Sequence, residues 1–146
     1  MRDALGRDID YLRVSVTDRC NLRCKYCMPE DGVAKLQHRD ILSFERIGEI
    51  CRVLAGLGIS KVKITGGEPL VRDDLTELAR HATEKGMRAV ISTNGTLITR
   101  EKARELKSVG RSYVGISLDG GEEVHDRFRA VPGSFKKALK GIENCQ

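Results

Sequence analysis

Four short runs rich in β-branched and apolar residues, at 11–17, 62–65, 89–93 and 113–118, alternate with segments whose apolar residues recur at helical spacing. This alternation constrains the fold more than any other feature of the chain. In the segment 42–57 the apolar residues Leu42, Ile47, Ile50, Val53, Leu54 and Leu57 fall near a helical period. Ser43 offers an N-cap there, and Gly56 or Gly58 a stop. Further helices are predicted over 75–85, 99–109 and from 135 to 142. Short strands alternating with helices of this length predict βα units around a parallel sheet, an α/β fold of about four units. The 146 residues suffice for one domain with a real core. The weakest order is expected at 31–40 and 122–133.

In such folds the chemistry collects at the carboxyl ends of the strands, and every unusual motif here follows a strand. The first run leads into Cys20, Cys24 and Cys27, spaced C-x3-C-x2-C. Thiolates are soft ligands suited to iron–sulfur clusters, zinc or Cu(I). A cubane [4Fe–4S] cluster usually takes one thiolate per iron, so three cysteines leave one iron open for chemistry. Zinc would need a fourth protein ligand, from His38, Cys51, Cys145, His81 or His125. Cys51 falls on the apolar side of its helix and reads as a small buried hydrophobe, whereas His81 and His125 read as surface or loop residues. The spacing favours the cluster. Five cysteines, three of them within eight residues, argue for metal binding in a reducing compartment and against a disulfide framework.

The second run ends in Gly66-Gly67-Glu68-Pro69, the third in Thr93-Asn94-Gly95 and the fourth in Ser117-Leu118-Asp119. Glycines let backbone approach a ligand closely, though Gly and Pro also punctuate plain turns. Glu68 is open to a structural role, and Thr93 and Ser117 could simply cap the helices that follow. Arg13 and Lys63 lie within strands, where a lumen-facing cation needs an anionic partner. A phosphorylated ligand and a structural ion pair both meet that need. Net charge is +5 with a pI near 9.1, but the cations are scattered among acids and there is no Trp, so nucleic acid is not an expected partner. No apolar run approaches the roughly 20 residues of a membrane span. The first eight residues carry acids where a signal peptide needs an apolar stretch, so a cytoplasmic protein is expected. No G-x4-G-K-[ST] phosphate loop and no nucleophile–His–acid arrangement is present.

C-x3-C-x2-C with Tyr26 before its last cysteine resembles the radical S-adenosylmethionine superfamily. The string from Tyr11-Leu12-Arg13 through Thr17-Asp18-Arg19-Cys20-Asn21-Leu22-Arg23-Cys24-Lys25-Tyr26-Cys27 to Met28-Pro29-Glu30 is more particular. With Ile64 to Arg72, Ser92-Thr93-Asn94-Gly95 and Ser117-Leu118-Asp119 it resembles the GTP 3',8-cyclase family of molybdenum cofactor biosynthesis. The resemblance implies a partial TIM-like (βα) barrel. It implies a [4Fe–4S] cluster on Cys20, Cys24 and Cys27, with S-adenosylmethionine chelated to the open iron and touched by Tyr26, Gly67 and Ser117. Arg13, Lys63 and Thr93 would line the GTP side. Lys63 stands where the family usually has Arg, keeping the charge but losing the bidentate fork. Reductive cleavage would release a 5'-deoxyadenosyl radical that abstracts a ribose hydrogen from GTP, and the sugar carbon would close onto guanine C8.

The family resembles six βα units followed by a C-terminal region with a second three-cysteine cluster. Residues 1–146 therefore correspond to the radical core in truncated form, and the second-cluster region is not among them. An electron donor is implied, as is a homodimer or a partner chain supplying the missing half. A non-catalytic iron–sulfur or S-adenosylmethionine-binding remnant, or a radical enzyme with another substrate, are the competing readings.

Overall fold

The computed structural model describes residues 2–27, 29 and 31–146, and of His38 the backbone alone. Met28 and Glu30, the end of the quoted string, and the side chain of His38 as a zinc ligand lie outside the described residues. The strands are β1 (Tyr11–Ser15), β2 (Lys61–Thr65), β3 (Arg88–Thr93) and β4 (Ser112–Ile116). The helices are α1 (Phe44–Gly56), α2 (Leu75–Glu84), α3 (Arg100–Ser108), α4 (Glu122–Arg129) and α5 (Ser134–Asn144). All neighbouring strands are parallel, in the order β1-β2-β3-β4. A helix follows each strand, which is the winding of an incomplete βα barrel.

Local chemistry sets the helix starts. The Ser43 hydroxyl accepts from the Arg46 amide and opens α1, and Thr99 does the same for Lys102 in α3. Each satisfies one of the four amides a helix start leaves unpaired.

Alternation along the strands separates two faces. Val14, Val62, Ile64, Ala89 and Ile91 point to one side and pack against Ile47 and Cys51 of α1, Leu75, Leu78, Ala79 and Ala82 of α2, and Leu106 of α3. Ile91 and Ala89 are fully buried. Truncating such a residue as Ile91 to Ala would cost about 2–5 kcal/mol through lost burial and the cavity left behind. The opposite face carries Tyr11, Arg13, Lys61, Lys63, Val90 and Tyr113. Register sets Arg13 beside Lys63, Lys63 beside Val90, and Val90 beside Tyr113.

Two expectations need correction. Residues 122–129 form helix α4 rather than a loop. His125 is not a surface residue: it is buried within α4, edge-on to Phe135 with ring centroids 5.6 Å apart. The segment 31–40 holds only a single 3-10 turn at His38–Asp40. No helix among the described residues is long and apolar enough to cross a membrane.

Candidate active site at the carboxyl ends of the strands

β1 continues without pause into the cysteine loop, where Val16 is still bonded to Thr65 O at 2.8 Å. Cys24 is buried, Cys20 half-buried and Cys27 exposed, and all three are free thiols. The Leu22 amide lies 3.4 Å from Cys20 Sγ, and the Cys27 amide donates to Cys24 O at 2.9 Å. Burial pushes the Cys20 and Cys27 thiols up from their ordinary value. Among the described residues no three His, Cys, Asp or Glu side chains converge on one point that would hold a single metal ion. A cubane, which takes one thiolate at each of separate irons, does not need such a point.

The glycines after β2 have a structural reason of their own. A Cβ on Gly66 would collide with Thr17 O, and one on Gly67 with Arg19 O; Gly66 also has a φ of +139°, which favours glycine. Their absent side chains let the loop lie against the backbone of the cysteine loop. There Gly67 N donates to Thr17 O at 2.7 Å and Glu68 N to Arg19 O at 2.8 Å.

Glu68 joins the next strand end to this contact. It is 1% exposed. Its Oε1 accepts from Thr93 Oγ1 at 2.6 Å and from the Leu70 amide at 3.0 Å, and its Oε2 accepts from the Asn94 amide at 2.8 Å. Burial raises its pKa, and the donors from Asn94, Thr93 and Leu70 oppose that rise. Asn94 Nδ2 donates to Asn21 Oδ1 at 2.9 Å, and Asn21 Nδ2 donates to Thr96 Oγ1 at 2.8 Å. The cysteine loop is thus tied to the ends of both β2 and β3.

The fourth attachment comes from α4. Ala130 takes a left-handed conformation (φ 54°) and ends the helix. The carbonyls of Phe128 and Arg129, which a helix terminus leaves without internal donors, accept from Lys25 N at 2.9 Å and Arg23 N at 3.1 Å. Tyr26 OH lies 3.2 Å from Asp119 Oδ2, and its ring lies 6.3 Å from that of Phe128. Burial raises the Tyr26 pKa, so the phenol keeps its proton. Ser117, just past β4, is exposed, and its amide donates to Thr93 O at 3.1 Å.

The structure therefore gathers Cys20, Cys24, Cys27, Tyr26, Gly67 and Ser117 at one end of the sheet. Arg13 and Lys63 sit beside each other on the open face. Thr93 does not join them. It shares the parity of Ala89 and Ile91, is 3% exposed and spends its hydroxyl on Glu68. Among the described residues no carboxylate forms an ion pair with Arg13 or Lys63.

Comparison with known proteins completes the picture. The family model of the Radical SAM superfamily matches residues 14–146. The chain belongs to the radical S-adenosylmethionine superfamily. Among solved structures, that of anSMEcpe with bound AdoMet aligns with a TM-score of 0.71 at 25% identity, covering 94% of this chain and 39% of that one. Streptococcus suis SuiB aligns at 0.74 with 22% identity, covering 93% of this chain and 31% of its own, and supports the fold alone. A GTP 3',8-cyclase of Peptoclostridium acidaminophilum is 46% identical over 145 residues, 99% of this chain and 45% of that protein. An Fe-coproporphyrin III synthase of Methanosarcina barkeri is 50% identical over 132 residues, 90% of this chain and 33% of that protein. The chain thus spans less than half the length of these relatives.

A [4Fe–4S] cluster and S-adenosylmethionine are the cofactors of this superfamily, and the donor chemistry here fits the cluster. Three free thiols lie within eight residues on one loop. Two of the three sulfurs already receive N–H groups, Cys20 from Leu22 and Cys24 from Arg129 at 3.6 Å. The Leu22 donor favours the thiolate of Cys20 and partly opposes the effect of burial there. Sequence reasoning missed Arg129, Asn21 and the role of Asp119. Asn21 and Asp119 lie in polar loops and Arg129 ends a helix with no apolar stripe, so none carries a periodicity signal, and only the fold brings them to the cysteines.

Proposed function

We propose that this chain is the cofactor-holding part of a GTP 3',8-cyclase, converting GTP to (8S)-3',8-cyclo-7,8-dihydroguanosine 5'-triphosphate in molybdopterin biosynthesis. Similarity to cyclases over nearly the whole chain supports the reading, and one observation carries it: the adjacent cations Arg13 and Lys63 stand without a carboxylate partner among the described residues. A structural ion pair was the competing explanation for cations in these strands; an anionic substrate such as a triphosphate meets the same need.

In this reading Cys20, Cys24 and Cys27 hold the cluster, and Tyr26, Gly67 and Ser117 border S-adenosylmethionine. One-electron reductive cleavage of S-adenosylmethionine to an organic radical is the chemistry this cofactor pair supplies. Arg13 and Lys63 bind and orient the phosphates on the open face. Thr93 serves the substrate side through Glu68, by fixing the end of β3. A donor protein brings the electron. The remaining strands come from further chain, a second copy or a partner, and the cytoplasm is the expected location.

One observation favours a second substrate. The Fe-coproporphyrin III synthase relative is as similar as the cyclases. Its name indicates a porphyrin bearing carboxylates, and unpaired cations suit carboxylates as they suit phosphates.

The test is anaerobic reconstitution followed by reduction and an assay for 5'-deoxyadenosine with and without GTP. Cleavage together with a cyclised guanosine product is expected once the remaining strands are supplied. Loss of GTP binding of about tenfold is expected for Arg13→Gln, corresponding to about 1.4 kcal/mol. Undiminished GTP binding by Arg13→Gln, Lys63→Gln protein overturns the assignment. Turnover of a porphyrin substrate in place of GTP selects the second reading.

A further inference from the structure

Arg129 is a buried cation, 7% exposed, 105 residues from the cysteine it touches. Its guanidinium has neighbours on several sides, although Nε makes no hydrogen bond among the described residues. Nε lies 2.6 Å from Asp119 Oδ2, in an ion pair. Nη2 donates to Ser117 O at 3.3 Å, and Nη1 lies 3.6 Å from Cys24 Sγ. The guanidinium carbon stands 5.7 Å from the centroid of the Tyr26 ring. The rigid fork of Arg is therefore oriented by Asp119 and Ser117 so that its remaining edge meets sulfur. Neutralising Asp119 alone would not require that edge to face Cys24.

We infer that Arg129 is a positioning residue that sets the charge environment of Cys24 and thereby raises the reduction potential of the iron–sulfur centre. The inference rests on the reading of Cys24 as a cluster ligand. Adding an electron makes the centre more negative. A cation and an N–H donor at a ligating sulfur stabilise that reduced form more than the oxidised one. The cation is held in a nearly dry position, where its field is weakly screened.

The test is a reductive titration of the reconstituted chain with dithionite and redox mediators, followed by electron paramagnetic resonance. Arg129→Gln is expected to take up iron and sulfide as the wild type does, with a midpoint potential displaced to more negative values. Arg129→Lys, which keeps the charge but loses the fork, is expected to move in the same direction by less. Arg127→Gln removes a neighbouring exposed cation of α4 and is expected to leave the potential where it is. Circular dichroism establishes folding; if Arg129→Gln does not fold, Arg129→Lys carries the comparison. Equal potentials in wild type and either folded Arg129 variant, at equal iron content, overturn the inference, as does an equal displacement in Arg127→Gln. A wild-type chain that takes up no cluster overturns instead the cysteine assignment beneath it.

Discussion

Asn94 reaches back 73 residues to hold Asn21, its Nδ2 donating to the Asn21 carbonyl oxygen at 2.9 Å. This amide pair joins the end of β3 to the residue directly after Cys20, and Asn94 Oδ1 also accepts from Thr96 N at 2.9 Å. The pair is built from side chains alone, so it can be deleted without touching the strands. Asn21→Ala is expected to destabilise the fold by about 1 kcal/mol, the usual worth of such hydrogen bonds. In a double-mutant cycle with Asn94→Ala, urea denaturation should show a coupling of about 0.5 kcal/mol or more. Strict additivity would mean that the amides do not act together.

Glu68 is the buried junction of three donors. Glu68→Gln places an NH2 group where one oxygen now accepts, and is expected to cost about 1–3 kcal/mol. The sign of its pH dependence is also fixed. Burial raises the folded pKa, so the stability tied to its proton is present below the unfolded value of 4.5 and lost as pH rises through the folded value. The variant lacks this titration. Its denaturation midpoint should therefore vary less than the wild type's across the mildly acidic range, and an identical pH profile would refute the prediction.

Cys20 and Cys27 hold their protons more tightly than free thiols because burial penalises the thiolate. Ligation must displace those protons, so cluster uptake is expected to strengthen as pH rises from about 7 to about 9. Iron content after reconstitution at the two pH values measures this. Cys24→Ala should lose the cluster's visible absorbance, and chelation of iron should abolish it in the wild type. Survival of the absorbance in Cys24→Ala would disprove the ligand assignment.

His125 is packed under Phe135, and its Nδ1 lies 3.3 Å from the Asp119 amide. Burial, aided by the charge of Arg129, lowers its pKa from 6.5. The neutral ring therefore contributes stability that is present above about pH 6.5 and lost as pH falls through the lower folded value. Acidification from pH 7 to pH 5 should destabilise the wild type more than His125→Gln. Equal losses on urea titration would show that folding leaves the pKa of the ring unshifted.

The strands and most helices were legible because their causes are local. Ser43 and Thr99 cap helices from positions where their hydroxyls reach an amide three residues on, and Cys51 followed its helical face into the core. Helix α4 was not legible. Its sequence, Glu-Glu-Val-His-Asp-Arg-Phe-Arg, offers too few apolar residues for a periodic stripe. It is held by contacts that only the fold creates, from His125 to Phe135 and from its last carbonyls to the cysteine loop. The glycines after β2 were legible as a close approach, but what they admit is the backbone of residues 17–19. The burial of Thr93 was within reach of simple alternation from Ala89 and Ile91.

The attachment of α4 to the cysteine loop also orders events in time. All three cysteines of the C-x3-C-x2-C motif are made within the first 27 residues, yet the carbonyls that hold Lys25 and Arg23 belong to Phe128 and Arg129. Synthesis at about 5–20 residues per second puts the two roughly 5–20 s apart. During that interval the thiols stand on a loop without its last clamp, open to loose iron and to oxidation. A cell that makes this chain has reason to deliver the cluster only after the ribosome has passed α4.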